Sequence, residues 1–513
     1  MTIKDLFRFQ DERIKILHFC WFAFFISFFA WYNMAPLATT MMADLGWLTT
    51  EHIAALGIMN VALTIPARII IGSLLDRFGP RVVFSTLLII MAVPTFIFAF
   101  GSTWAQLAIS RLVLGSIGAS FVVGIRMIAE WFPPKHVGFA EGIYGGWGNF
   151  GSAAGAIILP WLAITLIGGD DSWRYAVAFT GIVCFIYGIV FYLNVRDTPE
   201  GHTLIKPKRS GAMEVSSWKD MAQLMFWTIP VGGAVALSAW RVFDMGFIST
   251  SIVYGIFIAV GLVLIYQIYM IVKVNVPIIK QGIAKDDQYN FKNVGALNST
   301  YFANFGAELA IVSMLPMFFQ LTFSLTPSTA GLIAASFAFV NLLARPLGGV
   351  LSDRLGSRRK VMLIYMFGIV IGMCGMGMIN SGWPVILAVL MTVLTSLFVQ
   401  GGEGATFAMV PMVKKRVTGQ VAGMTGAYGS IGASVYLTLY TFVTPSQFFF
   451  ILAGGAFISF IICYFTLEEP ENSFADDYYL SKEDQLLKEK AKGAALRSKE
   501  AVSYASQVSD KDR

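Results

Sequence analysis

Runs of about 20 predominantly apolar residues recur along the chain, separated by short polar links. Such runs fit helices that cross a ~30 Å hydrocarbon core, and their unbroken apolar character excludes barrel strands, which alternate. Six come first, at about 16–37, 53–75, 82–101, 104–129, 139–167 and 174–195. A polar segment over roughly 196–220 follows, then two further apolar runs at about 221–240 and 246–272, joined by "RVFD". A second polar loop reaches about 292, and six more runs occupy about 296–323, 329–352, 360–380, 384–410, 418–442 and 447–466. The pattern predicts an all-α membrane protein: a six-helix bundle over 1–195, a linker with two additional hydrophobic helices over 196–291, a second six-helix bundle over 292–466, and a polar tail over 467–513. The two extra runs either cross the membrane, giving fourteen spans, or form a hairpin embedded in it. The tail is charged and poor in apolar residues, which predicts a mobile segment open to a regulatory partner.

The two blocks repeat each other. "ARIIIGSLLDRFGPR" (Ala67 to Arg81) matches "ARPLGGVLSDRLGSR" (Ala344 to Arg358), pairing Arg68 with Arg345, Gly72 with Gly349, Asp76 with Asp353, Arg77 with Arg354 and Gly79 with Gly356 at one offset of 277. "GIYGGWGNFGSA" (Gly142 to Ala153) matches "GMTGAYGSIGAS" (Gly423 to Ser434) at an offset of 281. The second pair aligns Gly142, Gly145, Gly148 and Gly151 with Gly423, Gly426, Gly429 and Gly432. Small residues at this spacing let membrane helices pack closely, and give them room to slide or bend. Parallel repeats place a binding site between the halves, near mid-membrane.

Charge then orients the chain. Of its 513 residues 56% are hydrophobic and 13% charged, against about 25% charged in soluble domains. The net charge of +6 is no nucleic-acid signal, because Lys and Arg crowd one set of loops: 76–81, 135, 196–209, 280–292, 354–360 and 414–416. The alternate loops are nearly free of them, with Arg174 and Arg241 as exceptions. The positive-inside rule puts the basic loops and both termini in the cytoplasm. The four cysteines fall inside apolar runs and the four histidines, at 18, 52, 136 and 202, are scattered. No metal site, cofactor or catalytic constellation is expected.

Two buried arginines are the anomaly. Arg345 lies eight residues before Asp353, so ~12 Å inside the span at ~1.5 Å per residue. A charge there costs several kcal/mol, about 2.5 or more, so it needs an acid on another helix or a ligand. With its twin Arg68, at the equivalent place in the other half, it points at one central cavity if the halves face each other. Arg126 has Glu130 four residues on, a helical pair, and with Arg111 it is read as structural or gating. Tyr301, Asn304, Phe305 and Glu308 share one helical face by spacing. Glu308, and Glu403 in another span, are either proton carriers or salt-bridge partners of a buried arginine.

The segment Gly72 to Arg81, G-x-L-x-D-R-x-G-x-R, resembles the loop signature of the major facilitator superfamily, and Gly349 to Arg358 is a second copy. "RLVLGSIGAS", led by Arg111, looks like another superfamily motif. The paired glycine-rich spans resemble the signatures of the nitrate/nitrite porter family, in particular microbial nitrate permeases. The resemblance implies that Arg68 and Arg345 bind the anion, and that Tyr301, Phe305, Phe121 in "GASFVVG", Phe407 in "GATFAMV" and Asn149 line the site. Ser430 stands where some relatives carry a second asparagine, so a symmetric asparagine pair is not expected. A guanidinium suits nitrate because it is planar, always charged and presents a fork of donors. The implied activity is import of nitrate, and of nitrite, by alternating access at the cell membrane with protons as coupling ion. A nitrate/nitrite antiporter and a membrane nitrate sensor are the alternatives.

Overall fold

The computed structural model describes residues 1–493, apart from 2, 210, 326 and 471. Among them, thirteen helices are long and apolar enough to cross a membrane. In chain order they are α1 (Glu12–Asp44), α2 (Thr50–Phe78), α3 (Pro80–Phe100), α4 (Trp104–Trp131), α5 (Pro134–Ile167), α6 (Ser172–Asn194), α7 (Trp218–Asp244), α8 (Thr250–Gln281), α9 (Lys285–Phe323), α10 (Thr329–Arg354), α11 (Arg358–Gly377), α12 (Val385–Val413) and, last, α14 (Pro445–Thr466). Between α12 and α14 runs α13 (Thr418–Tyr440), which carries no charged residue but is made less apolar by its glycines, serines and threonines. Nearly all of its first two-thirds is buried in protein, so lipid does not demand a uniformly apolar surface of it.

The halves meet through the glycine-rich helices, and the pairing is crossed. α5 packs on α1 of its own half and on α10 of the other; α13 packs on α9 of its own half and on α2 of the other. Each glycine helix therefore lies on the arginine helix of the opposite repeat. A Cβ on Gly142 would meet Pro346 Cα at 2.6 Å, and one on Gly423 would run into the Arg68 carbonyl.

Both arginine helices are interrupted just before the arginine. α2 breaks at Leu63 and α10 at Val340, positions related by the same 277-residue offset. In α4, the residues Gly115–Ala119 form a 3₁₀ turn that ends two residues before Phe121. Tighter turns of this kind leave carbonyls free to accept bonds from other helices.

The inserted run forms two full-length helices, α7 and α8. α7 lies against α2, α9 and α13, so it touches both halves along one seam. The Tyr428 hydroxyl donates to the Trp227 carbonyl at 2.6 Å, and the Trp227 indole covers Gly295. In α8 only Val253, Ile271, Val274 and Asn275 are buried, as fits a helix turned to lipid.

The segment after Leu467 departs from the expectation of a mobile tail. Its residues Glu469, Asp476, Ser481 and Asp484 are held by hydrogen bonds and ion pairs that composition alone does not reveal. Glu469 accepts from the backbone nitrogens of Arg358 and Arg359, both at 2.9 Å, and Lys135 pairs with Asp476. Asp484 accepts from Arg416 at 2.8 Å and pairs with Lys414 at 3.2 Å. Asp287 joins the same buried cluster, accepting from Arg416 at 2.6 Å and from the Ser481 hydroxyl at 2.7 Å. The tail thus straps both halves and the linker together on the face that carries the basic loops. Residues 494–513 lie outside the described part.

Candidate functional site

Arg68 and Arg345 converge at the centre, with relative exposures of 0% and 2%. Each guanidinium stands beside the same two rings. Arg68 Cζ is 6.0 Å from the Phe121 centroid and 5.2 Å from that of Phe305; the values for Arg345 are 5.7 and 6.0 Å. Cations at this range interact favourably with ring faces. Tyr301 stacks on Phe305 at 4.9 Å, and Phe407 stands edge-on to Tyr301 and Phe121 at 4.7 and 4.5 Å. Arg68, Arg345, Phe121, Tyr301, Phe305 and Phe407 are thus brought into one buried assembly. Its residues come from α2, α4, α9, α10 and α12, so both halves contribute.

The two arginines differ in how their charge is met. Arg68 donates through Nε to the Gly118 carbonyl at 3.2 Å and through Nη1 to the Gly426 carbonyl, and no carboxylate pairs with it among the described residues. The first carbonyl comes from the 3₁₀ turn and the second from the glycine helix of the other half. Arg345 instead pairs with two acids, Glu403 in direct contact and Glu308 at 3.6 Å. Asn341 Nδ2 holds the other Glu308 oxygen at 2.8 Å. Asn341 was not marked by the sequence pattern; it sits one turn before Arg345, at the break in α10, where the spacing alone could have flagged it.

Glycines shape the approach to both arginines. A Cβ on Gly145 would lie 2.8 Å from Arg345 Nη1, and one on Gly426 3.2 Å from Arg68 Cδ. Gly429 stands where a Cβ would meet Tyr301 at 2.5 Å, and Gly148, Gly151 and Gly432 pack on α1 or α9 in the same way. Asn149 is buried with Oδ1 unpartnered, and Ser430, its counterpart in the repeat, is buried with Oγ unpartnered. Neither makes a hydrogen bond to an arginine. Asn304 turns away from the centre and donates weakly to Thr406 Oγ1 on α12, at 3.4 Å; of the four residues expected on one face, only Tyr301, Phe305 and Glu308 reach the arginines.

The loop motifs act at the face of the basic loops, and their aspartates reach across. Asp76 accepts from the backbone nitrogens of Gly419 and Gln420, both at 3.0 Å, at the start of α13. Asp353 accepts from Phe139 N at 3.0 Å near the start of α5. A carboxylate at a helix N-terminus is favoured by the free N–H groups and the helix dipole, so Asp76 caps the glycine helix of the other half, while Asp353 reaches the second turn of its partner helix. Gly72 and Gly349 face backbone of those same helices, and Gly79 and Gly356 take positive φ values of 89° and 64°, which explains glycine there. Arg77 and Arg354 are exposed and take no part in this closure. Arg126 and Arg358 do instead: Arg126 pairs with Glu130 at 3.1 Å and Asp76 at 3.4 Å, and Arg358 donates to Asp353 at 3.1 Å and Pro134 O at 2.7 Å. Lys415 reaches over from the other half to the Ala129 carbonyl and, at 3.4 Å, Glu130; burial pushes its ammonium down to about 8. Arg111 is remote from the clamp and holds the turn that interrupts α1, donating to Asn33 Oδ1 at 2.8 Å and Trp31 O at 2.5 Å.

A model of the Major Facilitator Superfamily matches residues 20–278 and 297–493.

The chain belongs to the Major Facilitator Superfamily.

Two relatives within it are named nitrate/nitrite transporter NrtP. One, from Picosynechococcus sp., is 44% identical over 91% of this chain and 95% of its own length. The other, from Nostoc punctiforme, is 45% identical over 93% and 96%. Among solved superfamily structures, that of the proton:xylose symporter XylE bound to 6-bromo-6-deoxy-D-glucose superposes with a TM-score of 0.58 at 15% identity, covering 89% of this chain and 96% of the other, a likeness of fold.

Proposed function

We propose that this multi-pass protein is a secondary transporter that imports nitrate, and nitrite, by alternating access with protons as coupling ion. The observation that carries the reading is the pair of arginines beside Phe121 and Phe305, with the relatives' names pointing to the same substrates. A flat monovalent oxyanion matches a guanidinium fork, and the ring faces exclude water from it.

The charge balance suggests the coupling. Arg68, Arg345, Glu308 and Glu403 sum to zero, and Arg345 is held by its two acids. Nitrate brings a negative charge, so its entry is favoured when one acid takes a proton and releases Arg345. An inside-negative potential opposes a lone anion by about 2.3 kcal/mol per 100 mV, and co-transported protons remove that opposition. In this reading the strapped face with its basic loops is cytoplasmic, the membrane is the cell membrane, and the conformation is closed on that side.

Nitrate uptake into proteoliposomes by wild type, Arg68→Lys and Arg345→Lys tests the clamp. Lysine keeps the charge and loses the fork. Uptake should fall at least tenfold in each variant (about 1.4 kcal/mol of lost binding) with folding intact. Near-wild-type uptake in both variants would sink the reading.

A further inference from the structure

One buried acid plays no part in the clamp or in the closing pairs. Glu141 on α5 is 2% exposed, and neither carboxyl oxygen has a hydrogen-bond partner among the described residues. Acids so buried are almost always paired. Its place on the helix is informative. Gly138, Gly142 and Gly145 lie on α10, and Glu141 stands at the flank of that glycine stripe by 3–4 spacing. Gly138 abuts the Asp353 carboxylate, while Gly145 abuts Arg345 Nη1. Glu141 is four residues from Gly145, so ~6 Å from it at ~1.5 Å per residue, on the side of the basic loops. It stands between the clamp and the closed face, inside the seam that separates when the halves rock apart.

The titratable groups around it come from several elements. They are Cys20 on α1, Tyr144 on its own helix, Tyr478 of the tail, and Lys415 from the loop after α12. Lys415, the cation among them that could neutralise it across the seam, is engaged by Ala129 O and Glu130. The matching position in the second repeat is Ala422, so the acid is a departure from the internal symmetry and not part of the packing scheme the repeats share.

We propose that Glu141 is a proton-binding site on the exit side of the transport pathway. In the closed state its carboxyl is held as the neutral acid. When the basic-loop face opens, α10, Lys415 and the tail withdraw, water reaches the carboxyl, the O–H bond breaks, and the proton leaves to that water. This rests on the proton-coupled reading above, and extends it from the acids that hold Arg345 to one that hands protons to the cytoplasmic side.

The test uses full-length protein in proteoliposomes, with nitrate and nitrite as substrates. Glu141→Gln should keep nitrate counterflow at equal pH within about twofold of wild type, because exchange needs no net proton release. It should lose gradient-driven net uptake by at least tenfold, and Glu141→Asp should restore it. Infrared difference spectra of the purified protein should show a protonated-carboxyl C=O band at neutral pH that Glu141→Gln removes. Gradient-driven accumulation by Glu141→Gln equal to that of wild type would overturn the inference while leaving proton symport standing. Equal loss of counterflow and net uptake, unrescued by aspartate, would overturn it in favour of a packing role. Wild-type protein that shows no gradient-driven accumulation would overturn both readings.

Discussion

At the scale of single residues, the asymmetry between the arginines has consequences. Arg68 is met by carbonyl dipoles alone and Arg345 by two carboxylates, so neutralising an acid should affect the arginine that is tied. Glu403→Gln and Glu308→Gln should tighten nitrate binding, Glu403→Gln by tenfold or more (about 1.4 kcal/mol), because removing one partner of a buried pair leaves a charge that the anion then satisfies. Both variants should lose accumulation driven by a proton gradient. Calorimetric titration with nitrate, alongside uptake, checks this, and weaker binding in both would contradict the assignment of these acids. The sequence exposes the arginines and Glu308 because a charge in an apolar run is conspicuous. It does not reveal the pairing of Glu403 with Arg345, which depends on how α12 docks on α10, nor the role of Gly118 O, which exists only through a 3₁₀ turn.

At the scale of elements, the repeats were legible as repeats but not as a crossed pair. Periodicity aligns α5 with α13 and α2 with α10; only the packing puts α5 on α10 and α13 on α2. Glycine is required where the partner is an arginine. Gly145→Ala places a methyl 2.8 Å from Arg345 Nη1 and should reduce nitrate uptake at least tenfold (about 1.4 kcal/mol), whereas Gly57→Ala, in open space on α2, should leave uptake unchanged. Parallel uptake assays decide, and an effect at Gly57 as large as at Gly145 would refute the argument. Composition does not show how the described part of the tail is held, because its partners Asp287, Lys414 and Arg416 are all distant in sequence. Asp484→Asn breaks a buried cluster whose partners are each worth about 3–5 kcal/mol on removal. It should speed thiol labelling of a Thr418→Cys probe, at the start of α13, by about tenfold or more. An unchanged labelling rate would mean that the strap does not hold this face shut.

At the scale of the whole molecule, the contacts between halves gather on one face. Asp76, Asp353, Arg126, Arg358 and Lys415 all reach across it, and the tail lies over them. α7 adds a second link along the α2–α13 seam, so rocking of the halves must carry this helix with one of them or slide past it. The central claim is that the anion and protons move together through the clamp between those halves. Its most direct test is nitrate uptake into proteoliposomes with and without an imposed inward proton gradient, with internal pH followed in the same vesicles. The account predicts accumulation above equilibrium only with the gradient, and internal acidification that depends on nitrate. Accumulation indifferent to protons and dependent on preloaded nitrite would contradict it and establish exchange.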